Sequence, residues 1–138
     1  MKPLPIAVLT GMLIASIAVA IAGHGVAAPS ADWSKAEAVE MRMTEYEFIP
    51  SQLRFHRDVP YRLRLINTGK EGHDFTAGDF LNAVDVHNAD VLNESRTSIF
   101  LGAGETADIL FIARNPGLFA PRCADHDWAG MKATIIVD

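Results

Sequence analysis

A single cysteine, Cys123, occurs among 138 residues, which excludes a framework of internal disulfides. Basic side chains are in deficit: 12 Lys and Arg stand against 17 Asp and Glu, a formal net charge of −5. That balance argues against nucleic acid as a partner and offers nothing to an anionic membrane surface. The chain has no internal repeat, low-complexity tract or long amphipathic helical pattern, so solenoids and coiled coils are excluded. Past residue 28 no apolar stretch approaches the ~20 residues of a membrane span. No nucleophile–base pair, phosphate loop or paired-carboxylate arrangement stands out, and the protein is not read as an enzyme.

What is present begins with the leader. Lys2 is the only charged side chain before Asp32, and an uncharged, mostly apolar run from Leu4 to Ala22 gives way to small residues through Ala27 and Ala28. This order is that of a secretory signal, with cuts after Ala22, Ala27 or Ser30 all compatible with it. The run also nears the ~20 residues of a membrane span, so an uncleaved N-terminal anchor is the alternative. Either reading makes residues 1–28 an export segment and places the remainder in a periplasmic or other extracytoplasmic space. Residues 29–38 read as a linker and residues 39–138 as one domain, long enough for a single core. Loss of Lys2 with the leader takes the net charge from −5 to −6, which favours a partner with a basic face through steering.

The domain alternates. Val39, Met41 and Met43 are separated by Glu40 and Arg42, the period of a half-buried strand, with Tyr46 and Phe48 extending it to Ile49-Pro50. Leu53 and Phe55 mark a second strand, and Tyr61, Leu63 and Leu65 between arginines the clearest one. Asn67-Thr68-Gly69-Lys70 has turn chemistry. Residues 76–93 are mixed and read as a long excursion with room for a helical turn. Strand pattern resumes at Thr97, Ile99 and Leu101, again over Ala107–Ala113, and finally over Ala133–Val137, with turns at Gly102–Glu105 and Asn115-Pro116-Gly117. Short strands punctuated by frequent turns predict an all-β sandwich or barrel.

Against this background Cys123 needs explaining. An unpaired thiol in an oxidising compartment is a liability unless it is buried, joined to another chain or coordinated. His126 follows three residues later and Met131 eight residues later, with Gly130 permitting a tight turn beside it. Taken singly each has a bland reading: Cys123 as a small buried hydrophobe, Met131 as core filler, His126 as a loop histidine. Together a thiolate, an imidazole and a thioether on one loop suit copper, and a trigonal His₂Cys site with a long axial Met is the blue-copper arrangement. It needs one more histidine, and His73 in Gly72-His73-Asp74-Phe75 is the best placed. Structural zinc prefers four strong donors in a closed tetrahedron. Asp74, Asp125 and Asp127 read as solvated loop acids, with hydrogen bonding to a ligand histidine as the alternative. His24 lies in the leader, His56 in a polar turn, and His87 is a reserve ligand.

These residues resemble the cupredoxins, over roughly Val39 to Asp138. The resemblance rests on Asn67–Phe75 with its His-Asp-Phe, on Gly117-Leu118-Phe119 leading to Cys123, and on the Cys-x2-His-x4-Met spacing, which is similar to plastocyanins and pseudoazurins. It implies a Greek-key β-sandwich binding one type 1 copper ion through His73, Cys123, His126 and Met131. It also implies an electron port at His126, with Trp128 and Ala129 on a docking face; simple packing of Trp128 beside the loop is the other reading. The chain departs from those relatives at Pro121-Arg122 before the cysteine, at Asp125 before the loop histidine, and at Asp74, where they often have Asn. Two functions follow as expectations. One is a monomeric one-electron carrier cycling Cu(II)/Cu(I) with a redox protein partner. The other is a trafficking or storage protein that hands copper to an accepting protein through the same ligands.

Overall fold

A computed structural model describes residues 30–138; residues 1–28, read above as an export segment, and His24 within them lie outside the described residues. In chain order the elements are β1 (Glu37–Thr44), β2 (Glu47–Ile49), β3 (Gln52–Phe55), β4 (Pro60–Asn67), β5 (His73–Thr76), the short helix α1 (Gly78–Ala83), β6 (Val84–Val86), β7 (Ser98–Leu101), β8 (Thr106–Ala113), β9 (Gly117–Phe119) and β10 (Thr134–Val137). None of the described helices is long and apolar enough to cross a membrane.

The alternation of β4 explains its central place. Tyr61, Leu63 and Leu65 are buried while Arg62 is exposed, because successive strand side chains point to opposite faces. The same logic buries Ile109 and Phe111 of β8, which pairs antiparallel with β4 so that Leu63 faces Ile109 and Tyr61 faces Phe111. On the other flank β1 runs parallel to β4, with Met43 opposite Asn67. The first layer is thus a five-stranded sheet in the order β2-β1-β4-β8-β6.

The second layer contains β10 between β3 and β9, and the pair β5-β7. Two bridges, Thr76 to Arg122 and Arg122 to Lys132, tie the two pieces together. Phe55 of β3 crosses to the first layer, its ring 4.9 Å from Phe111 and 4.8 Å from Tyr61. Buried side chains of both layers form one cluster that also takes in Cys123 and Met131. The protein is an all-β, Greek-key β-sandwich, as the cupredoxin resemblance implied.

Two local differences from the sequence reading have simple causes. The alternation that continues past Met43 to Phe48 is not one strand. The chain turns at Glu45-Tyr46, and β2 folds back with Phe48 opposite Met43. Both residues are buried, so the apolar pattern carries on through the turn and hides it. Within the excursion over 76–93, α1 buries Phe80 and Leu81, and the three-residue β6 joins β8, Val84 opposite Ala113. A strand that short has no period to read. Ahead of β1, the Trp33 ring stacks on His87 at 4.7 Å.

Candidate metal centre

One end of the sandwich gathers the donors. His73 opens β5 opposite Leu101 of β7, which drives its ring fully into the interior. The loop after β9 is closed by its own backbone. Cys123 N–H donates to Met131 O at 3.0 Å, His126 N–H to Cys123 O at 3.3 Å, and Ala129 N–H to His126 O at 3.0 Å. Gly130 ends this turn at φ +77°, a left-handed conformation that glycine takes without penalty. Arg122 and Thr76 exchange main-chain hydrogen bonds at 2.9 and 3.0 Å, so the residue before the cysteine stitches the cysteine loop to β5.

The result is a convergence of three donors. Nδ1 of His73 and Nδ1 of His126 lie 3.2 Å apart, and Cys123 Sγ is 3.3 Å from the latter and 4.0 Å from the former. A triangle with these sides has its equidistant point about 2.1 Å from every corner, within the ~2.0–2.3 Å of metal bonds to nitrogen and sulfur. Three atoms facing one point at bonding distance fit a single trigonally held ion. Cys123, His73 and Met131 are wholly buried, and His126 is partly exposed. Met131 is brought beside the cysteine by the Cys123 N–H bond to its carbonyl. His87, on Trp33, and His56, whose Nδ1 is 2.6 Å from Asp138 Oδ1, are not in the cluster.

Asp74 is the buried acid of the site. Burial pushes its carboxyl up, but the Ala124 N–H, the Thr76 hydroxyl, the Cys123 thiol and the Asp125 N–H outweigh this and hold it below the usual carboxylate range. Ala124 N–H donates to both oxygens at 3.0 and 3.1 Å, which pins the start of the loop to β5. Asp74 N–H in turn donates to Cys123 Sγ at 3.4 Å. Burial is the main force pushing the Cys123 thiol up, and the Asp74 carboxylate adds to it against the amide of Asp74; a bound cation reverses this by favouring the thiolate. Asp127 faces Lys132 at 3.2 Å and Arg122 at 3.4 Å, and Asp125 is exposed, so both are surface acids.

Four residues escaped the sequence reading. Glu71 Oε2 is 3.1 Å from His126 Nε2, and Glu45 Oε1 is 3.6 Å from His73 Nε2. The Glu71 N–H is the leading cause that holds the Glu45 carboxyl below its ordinary range. Tyr46 packs its ring 4.8 Å from His126 and 5.4 Å from Trp128, and Asn67 holds its side chain against Glu71 O and Leu101 O at 2.8 and 3.0 Å. Trp128 itself is 77% exposed, with its indole N–H donating to Asp125 O at 3.1 Å.

Solved structures with a similar fold include auracyanins. Auracyanin B superposes with a TM-score of 0.55 at 23% identity, over 75% of this chain and 89% of that one. The dithionite-reduced auracyanin from the photosynthetic bacterium Roseiflexus castenholzii gives 0.55 at 17% identity, over 75% and 98%. Auracyanin A, a "blue" copper protein from the green thermophilic photosynthetic bacterium Chloroflexus aurantiacus, gives 0.54 at 14%, over 73% and 98%. No protein-family model and no curated protein matches the chain. The likeness is one of fold, over 73–75% of this chain.

Proposed function

We propose that the protein is an exported mononuclear copper protein that carries single electrons, with His73, Cys123, His126 and Met131 as ligands. The observation that carries this reading is the convergence of two Nδ1 atoms and one Sγ on a point about 2.1 Å from each, a distance suited to metal bonding. Copper held there supplies a Cu(II)/Cu(I) couple, and the thioether of Met131 suits copper better than zinc. The rest is the work of the chain. Cys123 would supply the thiolate to the copper, and His73 and His126 the two imidazoles. The loop's own hydrogen bonds and the Asp74 anchor keep these donors in place in both oxidation states. Burial of three of the four side chains excludes water and leaves little room for a substrate, so the role is that of a carrier and not an enzyme. His126 has the exposed edge, flanked by Tyr46 and Trp128, and is the natural path for an electron to a partner protein. With a mature net charge of −6, a redox partner with a basic face fits best.

The same burial supports retention of copper over hand-off to an acceptor. A visible spectrum of the purified domain with Cu(II) tests the reading. A strong thiolate charge-transfer band is expected, absent in Cys123→Ser. A colourless Cu(II) complex would sink the carrier, and rapid loss of Cu(I) to a modest chelator would favour trafficking.

A further inference from the structure

Both candidate imidazoles turn their second nitrogen toward a glutamate. His126 Nε2 meets Glu71 Oε2 at 3.1 Å. His73 Nε2 is buried without a hydrogen-bond partner among the described residues, and Glu45 Oε1 lies 3.6 Å from it. A buried ring N–H has a strong need for an acceptor, and a carboxylate at this distance is within a small side-chain adjustment of supplying it.

The two glutamates act as one unit. Glu45 Oε1 also accepts the main-chain N–H of Lys70 at 2.5 Å and of Glu71 at 2.9 Å. The acid behind His73 therefore anchors the segment that delivers Glu71 to His126. Parallel pairing of β1 and β4 makes this possible. With Met43 opposite Asn67 and Thr68 N–H donating to Met43 O at 2.9 Å, the chain leaving β1 runs beside the chain leaving β4. Gly69 leaves room for this approach, since a Cβ there would push the Glu45 carboxylate aside and sit 3.1 Å from His73 Nε2.

We infer that Glu45 and Glu71 are paired positioning residues: they hold both imidazoles with Nε2 protonated and Nδ1 toward the thiolate, and they bias the centre toward its oxidised state. The inference rests on the copper reading above. Its physical basis is charge. The oxidised ion carries one more positive charge than the reduced one, so anions one imidazole away stabilise it more. Glu45, with 30% of its side chain exposed against 52% for Glu71, is less screened by water and has the larger effect.

The test is the reduction potential of the copper-loaded protein and of Glu45→Gln, Glu71→Gln and the double variant, with the visible band as the check on loading. Each Gln keeps an acceptor oxygen but removes the charge. Each is expected to shift the Cu(I) over Cu(II) preference upward by as much as about tenfold, or ~59 mV for one electron, with Glu45→Gln ahead of Glu71→Gln. Glu71→Asp, which retains the charge, should stay close to the parent. Nitrogen NMR of the Cu(I) form should report both rings as the Nε2–H tautomer. Unchanged potentials in variants that keep the band overturn this inference alone. Absence of the band from the parent protein overturns the copper reading and this inference with it.

Discussion

Along β4 and β8, Tyr61, Leu63 and Leu65 face Phe111, Ile109 and Ala107, and all but the alanine are buried to within 2% exposure. From Cys123 to Met131 only the two end residues are buried, and the seven between them reach the surface. The ladder is held by area removed from water, the loop by hydrogen bonds to its own backbone and to Asp74. The difference teaches where rigidity at the candidate centre comes from. Cys123 and Met131 at the loop ends and His73 are gripped by the core, while His126 depends on directed polar contacts and on the Tyr46 ring. A core that loses a side chain relaxes only in part, whereas the exposed middle of the loop has Tyr46 against His126 and Trp128 as its aromatic contact and otherwise rests on its hydrogen bonds.

This contrast can be broken by substitution. Phe111 packs its ring against Phe55, Tyr61 and Phe80 at 4.9, 5.7 and 5.2 Å. Phe111→Ala should lower stability by about 3–5 kcal/mol, read as a lower urea midpoint with an unchanged slope. The copper spectrum of the folded fraction should be unaltered. Asp74→Ala should cost less stability and act on the centre. It removes the acceptor of the Ala124 N–H and costs about 1–3 kcal/mol, and it should change the thiolate band and speed amide exchange at Ala124 and Asp125. If Asp74→Ala left the band unchanged, the loop would not depend on polar contacts as argued.

The smallest effect sharpens the comparison on the ladder's outer face. Arg64 donates to both oxygens of Asp108 at 2.8 and 3.0 Å, and this holds the Asp108 carboxyl below its ordinary range. A carboxyl lowered in the folded state adds stability above the usual carboxylate range and loses it as pH falls through the folded value. Asp108→Asn should therefore flatten the acid limb of a stability-versus-pH curve slightly and leave neutral-pH stability nearly alone, because exposed ion pairs contribute little. A larger loss at neutral pH would show that the outer face matters more than burial allows.

Much of the site could be read in the residues because donor chemistry is local. Cys123, His126 and Met131 share one loop, and a thiolate, an imidazole and a thioether in nine positions point to a soft metal wherever the loop sits. His73 was reachable because it follows the clearest strand and its turn. Glu45 and Glu71 were not, since 28 and 55 residues separate them from the rings they face and no local pattern marks them. The hairpin at Glu45-Tyr46 was hidden because the apolar pattern runs on through the turn to Phe48, and β6 because three residues carry no period.

The sequence by itself determined the side-chain chemistry, the strand alternation and the acidic balance, since each is a property of residue type and spacing along the chain. Only the tertiary structure decided that Arg122 stitches the cysteine loop to β5, that Asp74 locks the loop start, and that a glutamate stands behind each imidazole. Those contacts follow from strand pairing. The parallel register of β1 on β4 brings Glu45 to the loop before His73, and no local pattern encodes which strand lies beside which.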